Sequence, residues 1–151
     1  MSGLLGGRRD YDGFSILLPP GWHEINEDAT YSDPDEVPAA AFGTGSGTLH
    51  VSLVALEEDD EPTLTRDAAR TLALDWGRRR GLAAPLAVAA GAGAKGATAT
   101  ASYRLGGDFV QVWFLTNGHD VIQASYVTGW GAQESERDAR EAAVASLRFR
   151  P

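Results

Sequence analysis

Residues 97–128 constrain the fold more than any other stretch. They read ATATASYRL, GGD, FVQVWFLT, NGHD and VIQASYVT. Three runs of strand-forming residues are separated by two turn signals. Asn117 and Gly118 both tolerate the positive φ that a type I′ hairpin turn needs. Gly106-Gly107-Asp108 marks the turn before it. An antiparallel three-stranded meander is therefore predicted. In the middle run Phe109, Gln111, Trp113 and Leu115 alternate with Val110, Val112, Phe114 and Thr116. Both sets are largely apolar, so this strand is expected at the centre of a sheet covered on both sides. On the first run Ala97, Ala99 and Ala101 share a face on which a helix can approach closely.

Two helices are predicted around the sheet. In 63–80 Leu64, Ala68, Leu72 and Trp76 recur at spacings of four and make one apolar stripe. Thr63 or Thr65 suits the N-cap, and Asp67 falls in the first turn. Arg78, Arg79 and Arg80 lie where cations complement the helix dipole, with Gly81 as the C′ residue. The arginine triplet thus reads as helix-end chemistry rather than an anion site. The second helix, 134–145, turns Ala139, Ala142 and Ala143 inward.

The remaining elements are shorter. Phe14, Ile16 and Leu18 mark a strand that Pro19-Pro20-Gly21 stops. WHEINED and ATYSD suit short strands. DPDEVP (33–38) and EEDDEP (57–62) read as acidic loops. Residues 39–47 read as a frayed strand or a loop. LHVSLVAL, 49–56, is a strand with Leu49, Val51, Leu53 and Ala55 on its apolar face. Pro85 rules out a longer first helix; a strand over 86–90 and a flexible loop over 91–96 follow. Residues 146–150 are a last short strand or the helix end. The fold class is α+β: an antiparallel sheet flanked by the helices in a layered sandwich. Residues 1–10 are expected as a flexible arm and 11–150 as one domain.

Charge narrows the partners. The net charge of the 151 residues is −8. Such a balance argues against a nucleic-acid backbone or an anionic membrane surface, since both call for basic patches. Positive charge is almost all arginine, with Lys95 the single lysine. That usage, with abundant Ala and Gly, suits a GC-rich bacterial genome. The absence of cysteine excludes disulfides, thiol nucleophiles and Cys metal sites. No apolar run reaches the length of a membrane span and no secretory leader is evident, so a cytoplasmic location is expected.

Motifs for chemistry are sparse. Gly91-Ala92-Gly93-Ala94-Lys95-Gly96 spells G-x-G-x-x-G, but a β-patterned run follows where a dinucleotide site needs a helix. GTGSG at 43–47 lacks the Lys-Ser/Thr of a phosphate loop. His23, His50 and His119 have no metal-ligand spacing, and the acidic runs lack the oxygen pattern of a calcium loop. His50 and Ser52 share a strand face, and with Asp120 they spell a hydrolytic set, but no nucleophile elbow accompanies them. No catalytic residue, metal or cofactor is assigned. Trp76 and Trp113 fit core positions. Trp22 and Trp130 stand in loops beside glycines, where tryptophan serves either as an end-cap of the core or as an interface anchor. Partner-binding candidates are therefore Trp22, Trp130, His50 and Ser52.

One resemblance emerges from the order of elements. FSILLPPGW at 14–22 is an opening strand ending in Pro-Gly-Trp. A strand, a long helix, the meander and a terminal helix running into AAVASLRFR follow. This arrangement resembles the PsbP-like, or Mog-like, family over about residues 11–150. The resemblance implies an antiparallel sheet between helices and a protein–protein role rather than catalysis. Some bacterial members are adaptor chaperones of type VI secretion effectors, and these are as a rule dimers, so it also raises a homodimer. The missing photosynthetic leader and basic surface argue against a photosystem role. The expected function is a non-enzymatic bacterial protein-binding module: an adaptor, an effector chaperone or an immunity-type protein. The alternative is a small-ligand-binding protein, or a hydrolase, with a pocket near His50 and Ser52.

Overall fold

The structure, a computed structural model, describes residues 8–11, 13–25, 40–54, 66–93, 96–117 and 120–150, with the backbone alone at 54, 92 and 93. Its elements are β1 (Arg8–Tyr11), β2 (Phe14–Leu17), β3 (His23–Ile25), β4 (Ala40–Gly43), β5 (Gly47–Val54) and α1 (Arg66–Arg79). Next come β6 (Ala87–Gly93), β7 (Gly96–Leu105), β8 (Asp108–Thr116) and β9 (Val121–Gly129). A 3₁₀ turn (Ala132–Glu134), α2 (Arg137–Ala145) and β10 (Arg148–Phe149) complete them.

The meander forms as its sequence dictates. β7, β8 and β9 pair antiparallel, with Trp113 opposite Thr100 on one side and Ala124 on the other. They lie inside a seven-stranded sheet of order β3-β4-β5-β9-β8-β7-β6. β8 is covered on both faces, as its two apolar sets require. Val110, Val112 and Phe114 join Ala97, Ala99, Ala101 and Tyr103 beneath α1. Phe109, Trp113, Ile122 and Tyr126 face the other way, against Phe14, Ile16, Val144 and Leu147. That second face carries α2 and a small sheet of order β1-β2-β10. The alanine face of β7 is met by Ala69 and Ala73 of α1, so helix and sheet approach closely.

Several expectations shift. Arg8–Asp10, expected in a flexible arm, pair with Leu17–Ser15 as β1. The strand expected over 86–90 runs on to Gly93, and the loop expected over 91–96 closes into a β6–β7 hairpin with Gly93 opposite Gly96. Gly96 has φ +125°, and a Cβ there would fall 1.7 Å from the Thr116 carbonyl oxygen, so only glycine suits this corner. Leu53 is 43 % exposed rather than buried. Of the stretch 39–47, the described residues 40–47 form β4 and a tight turn into β5, and Arg148–Phe149 of the last stretch form β10. The second helix begins at Arg137, after the 3₁₀ turn. The expectations for ATYSD, both acidic loops, Thr63, Thr65, Lys95, Gly118 and His119 fall outside the described residues.

Candidate functional site

A cleft of 630 Å³ opens between the end of the β7–β8 pair and the C-terminal part of α2. Length explains it. α2 and β8 each have nine residues. A helix of that size spans about 14 Å, a strand about 30 Å. The helix cannot cover the whole strand, and the Leu115 end is left open. Trp113 and Leu115 form the floor; Val144, Leu147 and Phe149 form the opposing wall. Trp113 is buried, whereas Leu115 and Phe149 remain half-buried. Exposed Glu141 and Arg148 stand at the rim. The volume lies in the range of binding sites, and the lining is mainly apolar.

The wall is fixed by the exit of α2. Ser146 Oγ accepts the Leu17 N–H at 2.9 Å and donates to the Ala143 carbonyl at 2.6 Å. Arg8 Nη1 donates to the Ser146 carbonyl and to Ser15 Oγ, both at 2.9 Å. The turn into β10 is thereby tied to β1 and β2.

The entry to α2 is held by two buried polar groups. Glu136 Oε1 accepts from Thr44 Oγ1 at 2.7 Å and from Tyr126 Oη at 2.6 Å; Oε2 accepts the Ser46 N–H at 3.2 Å. Burial pushes the Glu136 carboxyl upward, but these donors outweigh it and hold the group below its usual range. Burial, then the bond to Glu136, pushes Tyr126 up to about 12. Arg140 is equally buried. Its Nε donates to Gln111 Oε1 at 3.0 Å and its Nη1 to the Gln133 carbonyl. The guanidinium lies 5.1 Å from the ring centroids of both Phe109 and Tyr126. Gln111 in turn donates to Thr100 Oγ1 at 2.9 Å. These groups make a closed structural network rather than a reactive one: each points at another protein group.

The residues singled out in the sequence are dispersed. Trp22 is 8 % exposed and belongs to the core cluster on the α2 side. Trp130 is 42 % exposed, with Arg104 at 4.2 Å over its ring and Phe109 at 6.3 Å. His50 and Ser52 are buried on the α1 side of the sheet, opposite Ser125 and Gln123. They therefore lie on the face away from the cleft. Asp120 is exposed in the β8–β9 turn, where its N–H bonds to Asn117 Oδ1 at 2.8 Å. Val144, Leu147 and Phe149 escaped the sequence reading as site residues. The alternation of Leu147 and Phe149 across Arg148 was the available signal.

No protein-family model and no curated protein matches the chain. Solved structures do. Cyanobacterial PsbP (CyanoP) from Synechocystis sp. PCC 6803 aligns with TM-score 0.67 and 18% identity, over 95% of this chain and 92% of that one. The structure of a Mog1 mutant aligns with TM-score 0.55 and 11% identity, over 94% of each chain. The fold is that of PsbP and Mog1. A protein from Bacteroides thetaiotaomicron aligns with TM-score 0.54 and 14% identity, over 97% of this chain but 49% of that one. At these identities the likeness to PsbP and Mog1 is one of fold. No helix among the described residues is long and apolar enough to cross a membrane.

Proposed function

We propose that this chain is a non-enzymatic protein-binding module of bacterial adaptor or chaperone type, and that it takes an apolar segment of its partner in the cleft beneath α2. The observation that carries this reading is the exposed apolar lining. Leu115 and Phe149 stay half-buried in a 630 Å³ opening whose floor is Trp113. Apolar side chains inserted there would remove that surface from water at about 25 cal/mol per Å². An aromatic floor within a well-packed depression has the make-up of an interface hot spot. The buried polar groups at the entry to α2, Glu136 and Arg140, are engaged in holding the helix and offer no reacting group. The reading agrees with the protein–protein roles that the PsbP-like resemblance implies.

The test compares capture by the wild type, Leu115→Glu and Phe149→Glu, with circular dichroism as the check on folding. A stoichiometric partner retained by the wild type and lost by both folded variants supports the reading. Equal retention by all three overturns it. A small apolar compound that raises the wild-type melting temperature, and not that of the variants, would assign the cleft to a ligand instead.

A further inference from the structure

The large sheet has two edges, and they differ. β3 is three residues long and exposes His23 and Glu24. The small sheet is edged by β1, with Arg8, Arg9 and Asp10, and by the two-residue β10. Shortness and charge are the usual devices that keep an edge from pairing. β6 has neither. It is seven residues long, AVAAGAG, without a charge or a proline, and it pairs with β7 in unbroken register, so no bulge turns it away. Ala87, Ala89 and Gly91 are exposed, and Leu86 before them is 54 % exposed. Among the described residues, no backbone group outside β7 is hydrogen-bonded to β6. Its outward N–H and C=O groups form a ready template for one more strand.

Charge indicates what that strand is. α1 packs on β6, β7 and β8. In a chain of net charge −8 it exposes Arg66, Arg70, Arg78 and Arg79 against two acids, Asp67 and Asp75. Arg66 and Arg78 are paired with Asp67 and Asp75 at 3.9 and 3.2 Å. Among the described residues Arg70 and Arg79 form no ion pair. A second copy of β6 in antiparallel pairing would place two arginine-bearing α1 helices on one side of the joined sheet, where they repel. On the opposite face Ala87, Ala89 and Gly91 adjoin Ser102, Thr100 and Thr98, a shelf of small side chains.

We propose that the β6 edge takes an extended acidic segment of another protein by strand addition, with alternate carboxylates toward α1 and the intervening side chains on the Ala-Gly-Thr shelf. This site adjoins the cleft at Thr98, and the proposal does not rest on the reading given to the cleft. The test uses an acetylated nonapeptide alternating Glu and Val, beside its Lys-for-Glu counterpart, with amide hydrogen exchange of β6 and titration as readouts. The acidic peptide should protect the outward amides of β6 and bind about threefold more tightly than the lysine peptide, an advantage of the size that one surface ion pair supplies. The advantage should fade as salt is raised. One of Ala89→Pro and Ala90→Pro removes an outward N–H and should abolish binding. Because proline can unfold the hairpin, Arg70→Glu and Arg79→Glu, which stand on opposite flanks of α1, are made singly as a second reading. The one on the β6 flank should weaken binding about threefold with the edge intact, and no effect of either overturns the proposal. Absent binding of the acidic peptide, or equal binding of both peptides, overturns the proposal. So does concentration-dependent dimerisation that protects β6 without peptide, which would give the edge to a second copy.

Discussion

Glu136 is the residue on which the placement of α2 turns. Its carboxylate is buried and accepts three hydrogen bonds, from Thr44, Ser46 and Tyr126. A folded-state pKa below the unfolded value contributes stability that is present above the unfolded pKa and lost as pH falls through the folded one. Tyr126 is the opposite case. Its folded pKa is raised to about 12, so its contribution is present below about 10 and lost as pH rises toward 12. Tyr126→Phe removes one donor from a buried carboxylate and should cost about 1–3 kcal/mol at neutral pH. It should also move the acid limb of the stability curve to higher pH, because Glu136 loses a group that favours its charged form. Urea unfolding of both proteins between pH 3 and 8 checks this; an unmoved acid limb would refute the assignment. None of it was legible in the sequence. Glu136 in ESERDAREAA reads as a solvated helix acid, and its partners come from ten, ninety and ninety-two positions away. Arg140 is similar: its burial depends on Gln111 and on the Phe109–Tyr126 ring pair, which only the sheet assembles.

At the scale of elements, α1 packs closely against β7. Ala69 and Ala73 meet the alanine face of β7, and that contact was legible because both patterns are local. Gly77 was not. In sequence it is a helix glycine, about 1 kcal/mol worse than alanine. In the structure a Cβ there would lie 2.5 Å from the Tyr103 ring, whose hydroxyl donates to the Ala73 carbonyl at 3.1 Å. Gly77→Ala should therefore destabilise the fold by about 1–3 kcal/mol despite the better helix former. Chemical denaturation measures it, and a more stable variant would contradict the close approach. The same contrast explains the other differences. The meander was readable because alternation and turn residues coincide. β6 extends past its predicted end because Gly91, Ala92 and Gly93 carry no side-chain pattern; their strand state comes from pairing with Thr98, Ala97 and Gly96. The cleft was unreadable because it follows from a mismatch in length between α2 and β8.

For the whole molecule, the central strands tie two cores together. Phe114 belongs to the cluster beneath α1, while Ile122, on the neighbouring β9, belongs to the cluster beneath α2 and the small sheet. Phe114 pairs with Gln123 and Leu115 with Ile122, so adjacent positions on the same two strands feed opposite sides. A cavity on either side loosens strands that the other side also needs. We therefore expect the described elements to unfold as one unit. Ile122→Ala should cost about 2–5 kcal/mol and Phe114→Ala about 3–5 kcal/mol. For a chain of this size each kcal/mol corresponds to about 2–4 °C in melting temperature. In both variants the loss should be shared. Native-state hydrogen exchange should show α1 and α2 amides opening with the same reduced free energy, and tryptophan fluorescence and far-UV circular dichroism should give one coincident transition. If Phe114→Ala lowered the protection of α1 alone and left α2 at its wild-type value, the two faces would be independent units. The sheet would then be a partition between them rather than their common core.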